Sequence, residues 1–544
     1  MQQNSHLSVL VIDPNPGMRG SIQNMLGQAG ISKVEYAVNA GTAVKQLMRR
    51  SYDIILCEYD LGGSAEGQDG QQLLEDLRHH RLIGLLTIFI MLTSEAVYSK
   101  VLGAAELQPT DYILKPFTVD TLVQRVNRAL ERRVAFLPVF QLIGKGDLRE
   151  AIRACAKAEA AHPRYATDFA RLRAELHVNL KEFAEAEQVY RAILDTRPLG
   201  WAHLGMARTM FSLGRIDEAR ASLEALIKAN PELMGAYDLL AKCHEAQGTP
   251  ARAKEALEQA VAISPHVIRR LRKLGEVALD ANDPATAEKS LKQVVAKARY
   301  SEFRTPEDHV HLVHALAKKG DGEQATAVLR DLEKAFRGNP AMEVCKSYAT
   351  ALMHEAAGNG IAAASDLKVA AGGVRAATGL TANLKVALSR SCLANKLDGE
   401  ASDVMLAVLN DVHSEVTTGQ AMEVFAKAGR PDLARAIGEQ LNTQAQVLLG
   451  VADEKRNMGD MRGAVQTLLE ALHMAPQSMK VMMAVAGGIL RQLNELGWEH
   501  PMGELCHQQL EKIREQAPDH PRLQPLLNEY NATRRKYGIG TQAS

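Results

Sequence analysis

The chain has few aromatic residues, no excess of either charge and no closely spaced cysteines. Its six cysteines (Cys57, Cys155, Cys243, Cys345, Cys392 and Cys506) never fall in a C-x-x-C spacing. That pattern excludes a zinc-ribbon type of site and a disulfide framework, and it predicts scattered buried thiols in a reducing compartment. Lys plus Arg total 64, as do Asp plus Glu, so the net charge leaves no footprint for nucleic acid or an anionic membrane. No stretch approaches 18 consecutive apolar residues, which excludes an apolar membrane-crossing helix. The start, MQQNSHLSVLVID, lacks the basic region and apolar run of a signal peptide. Together these absences predict a cytoplasmic protein. P-loop, dinucleotide-fingerprint, HExxH and GxSxG motifs are missing, and nothing is left over for a helix-turn-helix domain, so the sequence predicts neither an enzyme nor a nucleic-acid binder.

What the chain does have is length and helix formers. At 544 residues it is too long for one hydrophobic core, which predicts several domains or a repeat array. Aromatics make up 4% and hydrophobic residues 46%, with Ala and Leu in the majority, as expected of helices packed through small side chains.

The first 130 residues alternate short apolar runs with helical spacing. Strands are predicted at Leu7–Ile12, Val34–Ala37, Asp53–Cys57, Leu86–Leu92 and Tyr112–Leu114. Helices are predicted at Met18–Leu26, Ala40–Arg50, Gln71–His79, Ala96–Leu102 and Val119–Arg133, with Pro14, Asn15, Pro16 and Gly17 read as a break. Five such βα units predict a parallel sheet covered by helices on both faces, with any ligand beyond the carboxyl ends of the strands. Asp13 falls at the end of the first strand, Glu58 and Asp60 after the third, Thr93 and Ser94 after the fourth, and Lys115 after the fifth. Acids, a hydroxyl and a lysine on one edge are groups able to hold a divalent cation and a phosphoryl group.

The pieces VLVID, YDIIL, LTS and DYILKPF, the last most of all, make residues 7–130 resemble the receiver domain of two-component response regulators, a flavodoxin-like α/β fold. The resemblance implies that Asp13 is the first of a pair of metal-binding acids, Glu58 stands at the phosphoacceptor, Thr93 and Tyr112 are the switch pair, and Lys115 is the lysine that pairs with the acceptor. It also implies histidine kinases or other signalling proteins as partners. Two departures follow. The family's acceptor is aspartate, and here it is Glu58; the second acid of the pair aligns with Pro14, which has no carboxylate. Asp60 lies two residues beyond Glu58, and the loop after Leu61, GGSAEGQDG, is long and glycine-rich. One added methylene moves the carboxylate by about an ångström, enough to disturb in-line attack. A lost ligand also weakens a Mg²⁺ site at Asp13, Glu58 and Asp60. Aspartyl phosphorylation of the usual kind is therefore expected to be poor or absent. Glu58 either imitates a phosphorylated acceptor towards Thr93 and Lys115, or belongs to a module that keeps only the fold; phosphorylation on Glu58 or Asp60 is the remaining reading. Thr93 and Lys115 have a simpler role open to them, as partners satisfying a buried Glu58 carboxylate.

From residue 131 a pattern recurs. GKGDLREA ends at Ala151, NLKEFAEA at Ala186, SLGRIDEA at Ala219, AQGTPARA at Ala253 and DANDPATA at Ala287, with later copies ending at Ala325, Ala434 and Ala464. A proline follows five of these alanines by twelve residues, and a glycine precedes six by five. The phasing resembles the tetratricopeptide repeat, a helix pair stacked into a superhelical solenoid. Between 336 and 420 the period lengthens, with Ala363 and Ala401 as the equivalents. The expected organisation is a receiver-like domain over 1–133, about ten helix pairs over 134–476, and an irregular pair with a capping helix and a tail over 477–544. The resemblance implies a groove that binds partner proteins, with Arg208, Lys242 and Lys455 as candidate groove side chains. A stiff join without a Gly/Ser linker is expected near Val134, with Pro138 as its only breaker and one kinked helix as an open form of it. The function that follows is a signalling adaptor or scaffold; the alternative is a conventional phosphorylated response regulator with the repeats as output.

Overall fold

The computed structural model describes residues 5–62, 69–94, 109–265, 267–298, 304–411, 414 and 416–539. The helix expected at Ala96–Leu102, the middle of the glycine-rich loop and the last five residues of the tail lie outside them. Two compact units make up the chain, Met1–Ala315 and Leu316–Ser544.

The first unit opens on a five-stranded parallel sheet of β1 (Ser8–Ile12), β2 (Lys33–Ala37), β3 (Ile54–Glu58), β4 (Ile88–Ser94) and β5 (Asp111–Lys115), in the order β2-β1-β3-β4-β5. The central strands are apolar at successive positions because both faces are covered. Leu10, Ile12, Ile55, Cys57, Phe89 and Met91 pack against helices α2 (Ala40–Leu47) and α3 (Gly70–His79). Val9, Val11, Leu56, Ile90 and Leu92 pack against α1 (Pro16–Gln28) and the first half of α4 (Val119–Gly144). The Pro14–Gly17 break is shorter than expected. Asn15 is the N-cap of α1, its Oδ1 accepting from the N–H groups of Gly17 and Met18, and Pro16 occupies the first turn, where no N–H is needed.

α4 does not stop at Arg133 but runs 26 residues, through Pro138, to Gly144. Its first half contributes Leu122, Val126 and Ala129 to the sheet's core; its second half contributes Phe136 and Val139 to the next one, where Phe136 stacks on Phe169 with ring centroids 3.9 Å apart. Pro138 removes the donor that would reach the Val134 carbonyl, but both residues lie on the exposed face, where water can replace it. Adjacent arginines tie the helix in two directions. Arg133 reaches Asp53 at the amino end of β3 (3.1 Å), and Arg132 reaches Asp168 on helix Ala166–Asn179 (3.1 Å).

Helix pairs follow. The residue five before each of Ala151, Ala186, Ala219, Ala253, Ala287, Ala325, Ala363, Ala401, Ala434 and Ala464 has a left-handed backbone. Seven of these turn residues are glycine; the others are Lys181, Asn282 and Lys396, with φ of 62°, 55° and 58°. The turn ends one helix and satisfies its last carbonyls, so Gly358 and Lys396 place the longer-period copies at Ala363 and Ala401. Most of the phased alanines are fully buried, whereas Ala434 is half-buried. In the first unit close approach requires glycine at Gly205, where a Cβ would lie 2.5 Å from the Tyr190 ring, and at Gly275, where one would lie 2.5 Å from Leu291.

In the second unit one junction is missing. Ala434 is followed twelve residues later by Gln446 instead of proline, and the chain continues as one helix, Pro431–Asn457. Helices Met479–Leu496 and His500–Gln516 make the last pair, and helix Leu523–Lys536 packs Leu523, Leu526 and Tyr530 onto it while the rest of its surface is polar.

Candidate functional site

The strand order brings the carboxyl ends of β1, β3, β4 and β5 side by side, with Ile12 opposite Cys57, Glu58 opposite Leu92 and Ser94 opposite Lys115. Residues from four separate stretches of sequence therefore meet on one edge. Asp13, just past β1, is 1% exposed. One of its carboxylate oxygens accepts from the Asn15 N–H at 2.8 Å and the other from Lys115 Nζ at 3.3 Å, while its backbone carbonyl accepts from Arg19 at 2.6 Å. Lys115 also forms a close ion pair with Glu58 Oε2. A cis peptide bond joins Lys115 to Pro116. The result is two largely buried carboxylates sharing one ammonium, with each charged group given an opposite partner, as burial demands.

Asp60 does not join this group. Its backbone N–H donates to Glu58 Oε1, and its own carboxylate accepts from the Gly62 N–H, both at 3.2 Å. Thr93 is fully buried at the end of β4, with its hydroxyl donating to the Ser94 carbonyl at 3.4 Å. Tyr112 is half-buried against the side of the core that holds Cys57 and Met91. Burial, then the neighbouring Glu58 charge, pushes the Cys57 thiol well above its ordinary range and keeps it protonated.

These residues do not fit a magnesium ion. Pro14 supplies no oxygen from its side chain, the Asp60 carboxylate is turned onto Gly62, and the Lys115 ammonium lies between the two remaining acids. A hard dication seeking six oxygens in an octahedron would have to displace that ammonium. Among the described residues no group of three or more His, Cys, Asp and Glu side chains could hold a metal ion.

Two residues escaped the sequence reading. The Asp53 carboxylate, just before β3, accepts from both the N–H and the hydroxyl of Ser8 and from Arg133; burial pushes its pKa up, and these partners hold it down. Asp69 is the N-cap of α3, and burial raises its pKa to about 6 against the opposing hydrogen bonds from Gln72 and Gln71. Its place before a helical run was the signal; the partners of Asp53 lie 45 and 80 residues away and gave none.

Residues 9–127 match the response regulator receiver domain, and residues 142–200 and 204–267 match the tetratricopeptide repeat. Over 129 residues, 24% of this chain, there is 27% identity to the chemotaxis protein CheY-3 of Vibrio cholerae, 95% of which is covered. The chemotaxis protein CheY of Pseudomonas aeruginosa is 26% identical over 126 residues, 98% of its length and 23% of this chain. Among solved structures, a tetratricopeptide repeat protein from Parabacteroides merdae aligns at 14% identity over 55% of this chain and 97% of its own, with a TM-score of 0.33.

Proposed function

We propose that this chain, a response-regulator receiver domain joined to tetratricopeptide repeats, is a signalling adaptor. Its repeats bind partner proteins, and its receiver pocket is held in one charge state instead of being switched by phosphorylation. The observation that carries this reading is the Lys115 ammonium shared between Asp13 and Glu58. The lysine that would meet a phosphoryl group is already engaged by Glu58 and Asp13. Glutamate also sets its carboxylate about an ångström further along than aspartate, out of line for attack on a phosphodonor.

The test is incubation of the full chain with acetyl phosphate and Mg²⁺, followed by intact mass. The expected result is no adduct; a stoichiometric gain of about 80 Da on Glu58 or Asp60 would overturn the proposal in favour of a conventional response regulator. Affinity capture from the native cell tests the other half, with partner proteins expected in the eluate; their complete absence would sink the adaptor reading.

A further inference from the structure

The second unit carries a groove of about 490 Å³ between helix Pro431–Asn457, helix Met461–Met474 and helix Met479–Leu496. Its floor is apolar, formed by buried side chains that include Leu449, Leu468 and Met483. Its rim is cationic. Lys480, Arg491 and Arg522 line it, and among the described residues no acid forms an ion pair with any of them; Asp453, the single acid lining the groove, is paired with Arg456 at 2.7 Å.

Two glycines point the same way. Gly450 and Gly487 line the groove from helix interiors, where glycine is destabilising relative to alanine. Packing does not require either one. A Cβ at Gly450 would meet nothing within 4 Å, and one at Gly487 would make only an ordinary 3.9 Å contact with Leu526. The neighbouring Gly488 differs, since a Cβ there would lie 2.4 Å from Leu468. A side chain at 450 or 487 would therefore be accepted by the fold but would enter the groove.

The spacing of the charges describes the occupant. Lys480, Ala484, Gly487 and Arg491 recur at helical spacing and share one face, so the two cations stand three turns, roughly 16 Å, apart with small residues between them. An extended chain spans that distance in about five residues.

We infer that this groove binds an acidic segment of a partner protein, with carboxylates roughly 16 Å apart meeting Lys480 and Arg491 and small side chains lying over Gly450 and Gly487. The inference rests on the repeats being a partner-binding array.

The probe is a fluorescein-labelled twelve-residue peptide with two glutamate pairs separated by alanine and serine, titrated by anisotropy against the full chain. Binding is expected to weaken at least about tenfold when the glutamates become glutamines, and as much in the Lys480→Glu, Arg491→Glu double variant. Gly487→Leu should abolish binding while leaving the far-ultraviolet circular dichroism unchanged. No binding to the unaltered chain, equal binding of the glutamine peptide or of a twelve-nucleotide thymidine oligomer, or full binding by the variants would each overturn the inference. Partner capture by the unaltered chain reads the adaptor proposal separately. Partners retained by groove variants that are inert to the peptide would sink this groove and leave that proposal standing.

Discussion

At the carboxyl edge of the sheet, Asp13, Glu58 and Lys115 meet at one point, whereas at the repeat junctions the same left-handed turn is made at ten positions. Each region departs from its family's usual residues, and the departures have different reach. At the edge, Pro14 and Glu58 change which charges face one another, and no second copy makes up for them. At the junctions, Lys181, Asn282 and Lys396 replace glycine and the turn still forms, because the alanine and its neighbours on either side hold the pair together. Chemistry placed at a single point depends on each residue; packing spread over many copies does not.

The strongest challenge to this contrast is Lys115→Ala. It leaves two largely buried carboxylates facing each other, so the sheet should lose about 2–3 kcal/mol, somewhat less than for a fully buried pair because Lys115 is partly solvated. Hydrogen exchange of the β1 and β3 amides measures it; a loss as small as that of an exposed pair would mean that the edge is as tolerant as the junctions. Gly275→Ala comes next. Its Cβ would press on Leu291, and overpacking of this kind should destabilise by about 1–2 kcal/mol. Faster exchange should be confined to helices between Pro250 and Ala298; if it spread to the sheet, the repeats would not be locally independent. The smallest effect has the opposite sign. Lys181→Gly relieves a left-handed backbone and should stabilise helices Ala166–Asn179 and Phe183–Thr196 by about 0.5 kcal/mol, after the greater freedom of glycine in the unfolded chain is offset. No gain in protection there would show that lysine already fits the turn without strain.

How far the sequence could be read follows the same division. The strands were legible because runs such as SVLVI and IILCE are apolar at consecutive positions, as double-sided burial requires. The junctions were legible through repetition, even at Ala363 and Ala401, where the period changes. Proline was an uneven guide. Pro16 starts a helix instead of preventing one, whereas the stiff join expected at Pro138 is a single helix, α4, whose freed carbonyl lies on the exposed face. Two helices merge across Gln446, yet Arg337 and Arg375 also stand where five copies have proline and the helices before them still end, so that position alone does not tell which junction is lost. The edge was legible as a set of residues but not as a geometry. Nothing in the sequence around Asp60 tells that its carboxylate turns to Gly62, or that Arg133 bonds to Asp53, 80 residues away.

α4 has a bearing on how such a protein can be inherited. Its 26 residues belong half to one core and half to the next. A cut at residue 133 would open the last turn of the shortened helix and strip Phe169 of the ring stacked on it. The first place where the backbone can be parted without unpicking a helix is Lys145–Gly146, at a left-handed turn. Recombination that exchanges receiver domains between proteins would therefore have to carry the first repeat helix along with the sheet. In this chain the seam between two sequence families falls inside a structural part, not between two parts.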